Sequence, residues 1–237
     1  MRTKEILTLP SETDPIVEET PPFLRALTFA SMDTPGALES PTMRAFFNVT
    51  LPEPEPTWSA LQIEEHMSAF NEGTIVSTAI HEVYPGHYTQ MLFQRQASSL
   101  TRKILSTNSF VEGWAHYTEQ MMLDEGYAQN KPWIRLGQLQ DALLRDARFV
   151  VAIRMHTQKM SYNDAVQFFT QEGYQTHANA EREVKRGTSD PMYLVYTLGK
   201  LRILELREHY LATHETPSAL HDFHDALLLR GTFTGLL

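Results

Sequence analysis

Cysteine is absent from the chain. Disulfides, thiolate-held metals and cysteine nucleophiles are therefore excluded together. A transition metal, if the protein holds one, must rest on imidazoles and carboxylates, and ten histidines make that possible. Long hydrophobic runs are missing too: no stretch approaches the roughly 18 apolar residues of a membrane-spanning helix. Positive charge is scarce, with 20 Lys and Arg against 29 Asp and Glu and a net charge of −9. A phosphate backbone or an anionic bilayer is recognised by clustered basic residues, so neither nucleic acid nor a membrane is expected as a partner. The opening MRTKEILTLPSETDP lacks the apolar core of a secretion signal, which makes the cytoplasm the default compartment.

Hydrophobic residues form 42% of the 237, enough for a sizeable core. Nine of the thirteen prolines fall within the first 57 residues, a density no long helix tolerates. Residues 1–57 are therefore expected to form an irregular arm, with short strands in KEILTLP (4–10) and RAFFNVTLP (44–52). Phe23, Phe29, Phe46 and Phe47 favour an arm wrapped on the rest over a disordered leader. From Trp58 the texture is helical, and 58–237 reads as one mainly α unit. Helices are expected over 59–70, 72–97, 109–125, 131–159, 161–172, 179–185, 191–212 and between Thr216 and Gly231, with 98–108 as a polar connection. Ser109, Ser161 and Thr216 are candidate N-caps, Pro132, Pro191 and Pro217 open first turns, and Gly126 and Gly187 follow helix ends.

Chemistry concentrates in TIVSTAIHEVYPGHYTQ (74–90), where an apolar helical run leads into His81, Glu82 and His87. Zinc hydrolases need two or three neutral imidazoles, a carboxylate and an open position for water. The ion lowers the pKa of water to about 7 and polarises the bond under attack. A glutamate beside the first histidine can take the proton and pass it on. In HExxH the two histidines are four residues apart, about 40° in azimuth on a helix. His81 and His87 are six apart, which on an ideal helix means about 120° and roughly 9 Å, too far for one ion. Pro85 removes a backbone donor and crowds the preceding turn, while Gly86 accepts unusual backbone angles. The helix is therefore expected to be bulged or broken around Val83–Gly86, which would bring both imidazoles together. The competing reading is a proline-kinked core helix with two incidental histidines.

A second cluster lies in FVEGWAHYTE (110–119), where Glu112, His116 and Glu119 recur at i, i+4 and i+7 on one helical face. Glu112 is the natural third ligand. His116 is either a ligand or a partner of one, and Glu119 can hold a histidine through its other ring nitrogen. Phe110, Val111, Trp114 and Ala115 beside these polar groups argue for burial rather than a solvated face, and buried carboxylates need partners.

HEVYPGHYTQ followed by FVEGWAHYTE resembles the bacterial family called domain of unknown function 885, whose hallmarks are HExxPGHxxQ and EGWAxYxE. RDARFVVAIRMH (145–156), AEREVKRGTSDPMYLVYTLGKL (180–201) and HDALLLRGTF (224–233) are similar to later stretches of that family. Its members are typically more than twice as long, and the likeness is to their C-terminal part. The family is grouped by likeness with gluzincin zinc peptidases. The resemblance implies that His81, His87 and Glu112 bind Zn2+ or another divalent transition metal, with Glu82 as general base and then acid. It implies that His156 donates to the substrate, and makes Tyr193 and Tyr196 candidates for stabilising the oxyanion. Arg186, Arg202 and Arg207 are candidates for holding a carboxylate, against the alternative of pairing with neighbouring glutamates. His209, His214, His221 and His224 stand in polar surroundings and read as surface residues.

The expected function is a metallopeptidase acting on short peptides. The alternatives are a hydrolase of carboxyl or phosphate esters at the same site, and a non-catalytic zinc-binding module. Self-association is expected if apolar surface is left uncovered.

Overall fold

A computed structural model describes residues 4–10, 13–25, 28–40, 42–54 and 57–230. Among the described residues of the proline-rich arm the strands are four residues each: β1 (Ile16–Glu19), β2 (Ala30–Asp33) and β3 (Phe46–Val49). β3 is central, parallel to β1 and antiparallel to β2, with Ile16 opposite Phe46 and Ala30 opposite Val49. The aromatic and β-branched residues of RAFFNVTLP thus form the strand expected of them. KEILTLP does not. Ile6 and Leu7 enter the main core as irregular chain, because the Thr8 amide is taken by the Asp225 carboxylate at 2.9 Å rather than by a strand.

The helices are α1 (Ala60–Ala69), α2 (Glu72–Glu82), α3 (His87–Gln96), α4 (Leu100–Ile104), α5 (Asn108–Asp124), α6 (Pro132–Thr157), α7 (Tyr162–Gln171), α8 (His177–Ser189), α9 (Val195–Thr213) and α10 (Ala219–Leu229). A 3-10 turn, Pro191–Leu194, feeds α9. The protein is thus mainly helical with a small N-terminal sheet. Local chemistry sets many of the starts: Ser59 and Ser161 form capping boxes, Asn71 caps α2, and Pro132 opens α6. Five boundaries differ from expectation, one being the end of α8, which runs through Gly187 to Ser189 instead of stopping at Lys185. Ser99 caps a short α4 inside the expected connection, and Thr176 starts α8 early. Thr107 rather than Ser109 precedes α5, and α10 begins after Ser218, two residues beyond Thr216. Gly231 lies outside the described residues.

Two cores form. The larger gathers Ile80, Phe93, Phe110, Trp114, Ile203 and Phe223 with their neighbours from α2, α3, α5, α9 and α10. The smaller joins Val151, Phe169, Val184 and Tyr193 from α6, α7, α8 and the 3-10 turn. α5 and α9 cross at Gly113 and Gly199, where a Cβ on Gly113 would stand 2.5 Å from the Gly199 Cα. This close crossing sets Glu112 and the start of α9 side by side, between the two cores.

The arm is tied to α3. The Tyr88 hydroxyl donates to the Thr13 carbonyl at 2.6 Å, and Arg95 donates to the carbonyls of Pro35, Gly36 and Glu39 at 2.7–3.2 Å. The Tyr84 hydroxyl, just before α3, reaches Asp14 Oδ1 at 2.8 Å.

Candidate metal centre

α2 stops at Glu82 and α3 restarts at His87. The interruption is a break rather than a bulge within one helix. Its hydrogen bonds leave the α pattern: the Tyr84 amide reaches the Ala79 carbonyl at 3.3 Å and the Gly86 amide the Ile80 carbonyl at 3.0 Å. The Tyr84–Pro85 bond is cis. A Cβ on residue 86 would lie 1.7 Å from the His81 carbonyl oxygen, so the fold-back requires glycine there. Trp114 on α5 donates its indole N–H to the Pro85 carbonyl at 2.9 Å, which fastens the break to the second cluster.

The break brings His81 and His87 together, with ring centroids 4.8 Å apart and planes at 85°. One ligand atom each from His81, Glu82 and His87 lies within 4.8 Å of the others. Glu112 adds a fourth group: its Oε2 stands 3.5 Å from His81 Nε2 and 3.6 Å from His87 Nε2. These separations are long for charge-assisted hydrogen bonds of about 2.7–2.9 Å. They suit two donors on one ion with bonds of about 2.0–2.1 Å at a tetrahedral angle. Glu112 Oε2 is buried and has no hydrogen-bond partner. An orphaned carboxylate oxygen between two imidazoles fits a cation, and of the two carboxylates Glu112 is the better ligand. It faces both Nε2 atoms at once.

Charge explains why the site is cation-seeking. His81 Nδ1 donates to Glu119 Oε1 at 2.6 Å, which fixes the ring and turns its Nε2 toward Glu112. Burial works against a proton on His81, but Glu112 and Glu119 outweigh it and carry the pKa up to about 10. Burial likewise opposes charge on Glu112, yet the two imidazoles hold its carboxyl well below the usual range. Glu119 is fully buried. Burial pushes its pKa up, and the Arg145 guanidinium, 3.0 and 3.1 Å from its two oxygens, brings it far down. His116 Nδ1 lies 3.2 Å from Glu119 Oε2, and burial drives His116 down to about 4. It therefore lines Glu119 as a neutral ring.

The remaining expected residues separate. The Tyr196 ring lies 6.5 Å from the His81 ring at 22°, and its pKa is raised by burial and then by the Glu112 charge, which places it at the centre. The Tyr196 hydroxyl raises the pKa of Arg186 against the effect of burial. Tyr193 belongs to the smaller core and its buried hydroxyl has no partner. His156 is directed at the Gly187 carbonyl, 2.9 Å from Nε2, rather than into the cluster. Arg202 is exposed and pairs with Glu205 at 2.8 Å. Arg207 lies over the Tyr117 ring and 3.9 Å from Glu125. The last two lie six and eleven residues beyond Tyr196, roughly 9 and 16 Å along the helix, and the structure does not bring them to the site. His224, expected at the surface, is fully buried.

Sequence reasoning missed the arginines of α6. Arg145 grips Glu119, and Arg148 forms a bidentate pair with Glu183 at 2.7 and 2.8 Å. Both guanidinium carbons lie 5.6–5.7 Å from the Tyr196 ring centroid. Asp141, its pKa raised by burial, flanks Arg145. No spacing signal marks them, because Glu119 and Glu183 lie on other helices.

A mainly helical body with imidazoles and carboxylates converging between two cores is a protein with a candidate metal centre. The chain belongs to the family described as bacterial protein of unknown function (DUF885), whose model matches residues 1–234. Two solved structures are similar. One is a candidate lipoprotein of unknown function from Shewanella oneidensis, 30% identical with a TM-score of 0.84, matched over 98% of this chain and 40% of that one. The other is a candidate lipoprotein from Colwellia psychrerythraea, 26% identical with a TM-score of 0.80, matched over 97% of this chain and 38% of that one. This chain thus spans well under half the length of either. No curated protein matches it.

Proposed function

We propose that the protein is a metal-dependent hydrolase, gluzincin-like in its two motifs, that cleaves short peptides. The observation carrying this reading is Glu112 Oε2, buried, unpartnered, and 3.5 and 3.6 Å from the two Nε2 atoms. Two imidazoles and a carboxylate suit zinc, with other divalent transition metals as substitutes. Such an ion supplies a Lewis acid and a water of lowered pKa. The chain's own residues do the rest. Glu119 orients His81 through Nδ1. Glu82, half-buried beside His81, accepts the proton of the attacking water and returns it to the leaving amine. The Tyr196 hydroxyl donates to the charge that develops on the carbonyl oxygen.

Elemental analysis and peptide assays on Glu82→Gln and Glu112→Gln test this. Glu82→Gln should keep its metal and lose roughly 10²–10⁴-fold in turnover. Glu112→Gln should lose metal and activity together. Activity surviving Glu82→Gln sinks the mechanism, and a wild-type protein with no metal affinity sinks the whole reading. Ester turnover without peptide cleavage would transfer the site to the ester class. On compartment, the cytoplasmic expectation stands against two neighbours described as candidate lipoproteins. Cell fractionation decides that point.

A further inference from the structure

The cations around the centre are nearly all committed. Arg145 is held by both oxygens of Glu119, and Arg148 by both oxygens of Glu183. Lys200 is half-buried, and burial lowers its pKa against the opposing charges of Glu119 and Asp146. Arg186 is different. Its side chain is 41% exposed, and its carboxylate contact, to Asp190 one turn on, is loose at 3.5 Å. Its guanidinium carbon stands 5.9 Å from the Tyr193 ring centroid, and the nearby Tyr196 hydroxyl raises its pKa against the effect of burial.

The base of Arg186 is firmly placed. The next residue, Gly187, packs so closely on Tyr193 that a Cβ would meet the phenol oxygen at 2.5 Å. The Gly187 carbonyl is also gripped by His156 at 2.9 Å. His156 thereby acts as a positioning residue for the end of α8. Tyr196 bridges the remaining gap, because its ring lies 6.5 Å from that of His81. One phenol thus separates a solvent-accessible, under-committed guanidinium from the imidazole cluster.

We infer that Arg186 binds the free C-terminal carboxylate of the peptide, so that the enzyme removes residues from chain ends. The inference rests on the peptidase reading for its substrate class. The planar guanidinium matches a carboxylate through two parallel N–H donors, and an incoming carboxylate replaces the loose contact to Asp190. An internal segment of a long chain brings no charge to this position and forfeits the contact.

The test is calorimetry on the zinc-loaded protein with a non-hydrolysable phosphinic dipeptide analogue, as free acid and as C-terminal amide. The wild type should bind the acid at least tenfold more tightly. Arg186→Gln should lose that preference while keeping its affinity for the amide, and Arg186→Lys should restore part of it. Equal affinity for acid and amide in the wild type overturns the inference without reference to any variant. So does binding of neither, or full discrimination in Arg186→Gln. Parallel assays on free and amidated peptides separate the two claims. Equal cleavage of both overturns the carboxylate site and leaves the peptidase reading intact. An acid preference with no peptide cleaved supports the carboxylate site and sinks the peptidase reading.

Discussion

His81 Nδ1 and Glu119 Oε1 are 2.6 Å apart in a fully buried contact between α2 and α5. Glu119 also carries the charge that balances Arg145, so one carboxylate serves both ligand orientation and ion pairing. Glu119→Gln should lower metal affinity about 10–100-fold, as loss of a histidine-orienting carboxylate does. It should also destabilise the fold by about 3–5 kcal/mol, because Arg145 is left buried and unpaired. Competition with a chromophoric chelator and urea unfolding read the two effects. Unchanged affinity would remove Glu119 from the centre.

Metal should stabilise the folded chain, because the donors converge only when α2, α3 and α5 are assembled. Zinc at about 100 times its Kd adds about 2.7 kcal/mol. For a chain of this size that is a rise of roughly 5–10 °C in Tm. Chelation should reverse the rise, and Glu112→Gln should abolish it. Identical melting curves with and without metal would contradict the convergence of these ligands on one ion.

His224 gives a pH prediction away from the ligands. Its Nδ1 donates to the Ile6 carbonyl at 2.8 Å, which leaves Nε2 to accept from the Tyr117 hydroxyl at 2.8 Å. Burial lowers its pKa to about 4, against the weaker upward pull of the Ile6 carbonyl. The unfolded chain, with a pKa of about 6.5, takes up the proton first as pH falls. This group therefore leaves stability flat above about pH 6.5 and removes up to about 3 kcal/mol between there and pH 4. His224→Gln should be less stable at neutral pH but show a shallower acid-side decline in its urea midpoint. Parallel pH profiles for the two proteins would exclude the assignment.

Trp114→Phe isolates the bond that fastens the helix break. The larger core keeps an aromatic ring, while the Pro85 carbonyl loses its indole donor. The cost should be about 1–3 kcal/mol. Metal affinity should fall severalfold although no ligand has changed, and amide exchange at Gly86 should quicken. Wild-type affinity in Trp114→Phe would show that the break holds itself.

The helical body was legible because its starts are written locally, in Ser59, Ser161 and Pro132. The ligand cluster was legible through a misfit, since histidines six apart required a broken helix and Pro85–Gly86 supplied one. Arg145 and Arg148 were not. Their partners lie 26 and 35 residues away on other helices, and such pairs leave no spacing signature. His224 was misread from its acidic neighbours Asp222 and Asp225. The spacing of Phe223, His224, Leu227 and Leu228 puts it on the buried face of α10. Strand 4–10 failed because its apolar residues meet helices rather than another strand.

The break between α2 and α3 has a mechanical side. His81 moves with α2, which is packed on α5 and α6. His87 is the first residue of α3, the rod that also carries Tyr88 and Arg95 and, through them, the N-terminal arm. The two imidazoles therefore ride on different helices that meet at Val83–Gly86. The arm touches both helices, α3 through Tyr88 and Arg95 and α2 through β2, which makes the centre a joint as well as a site.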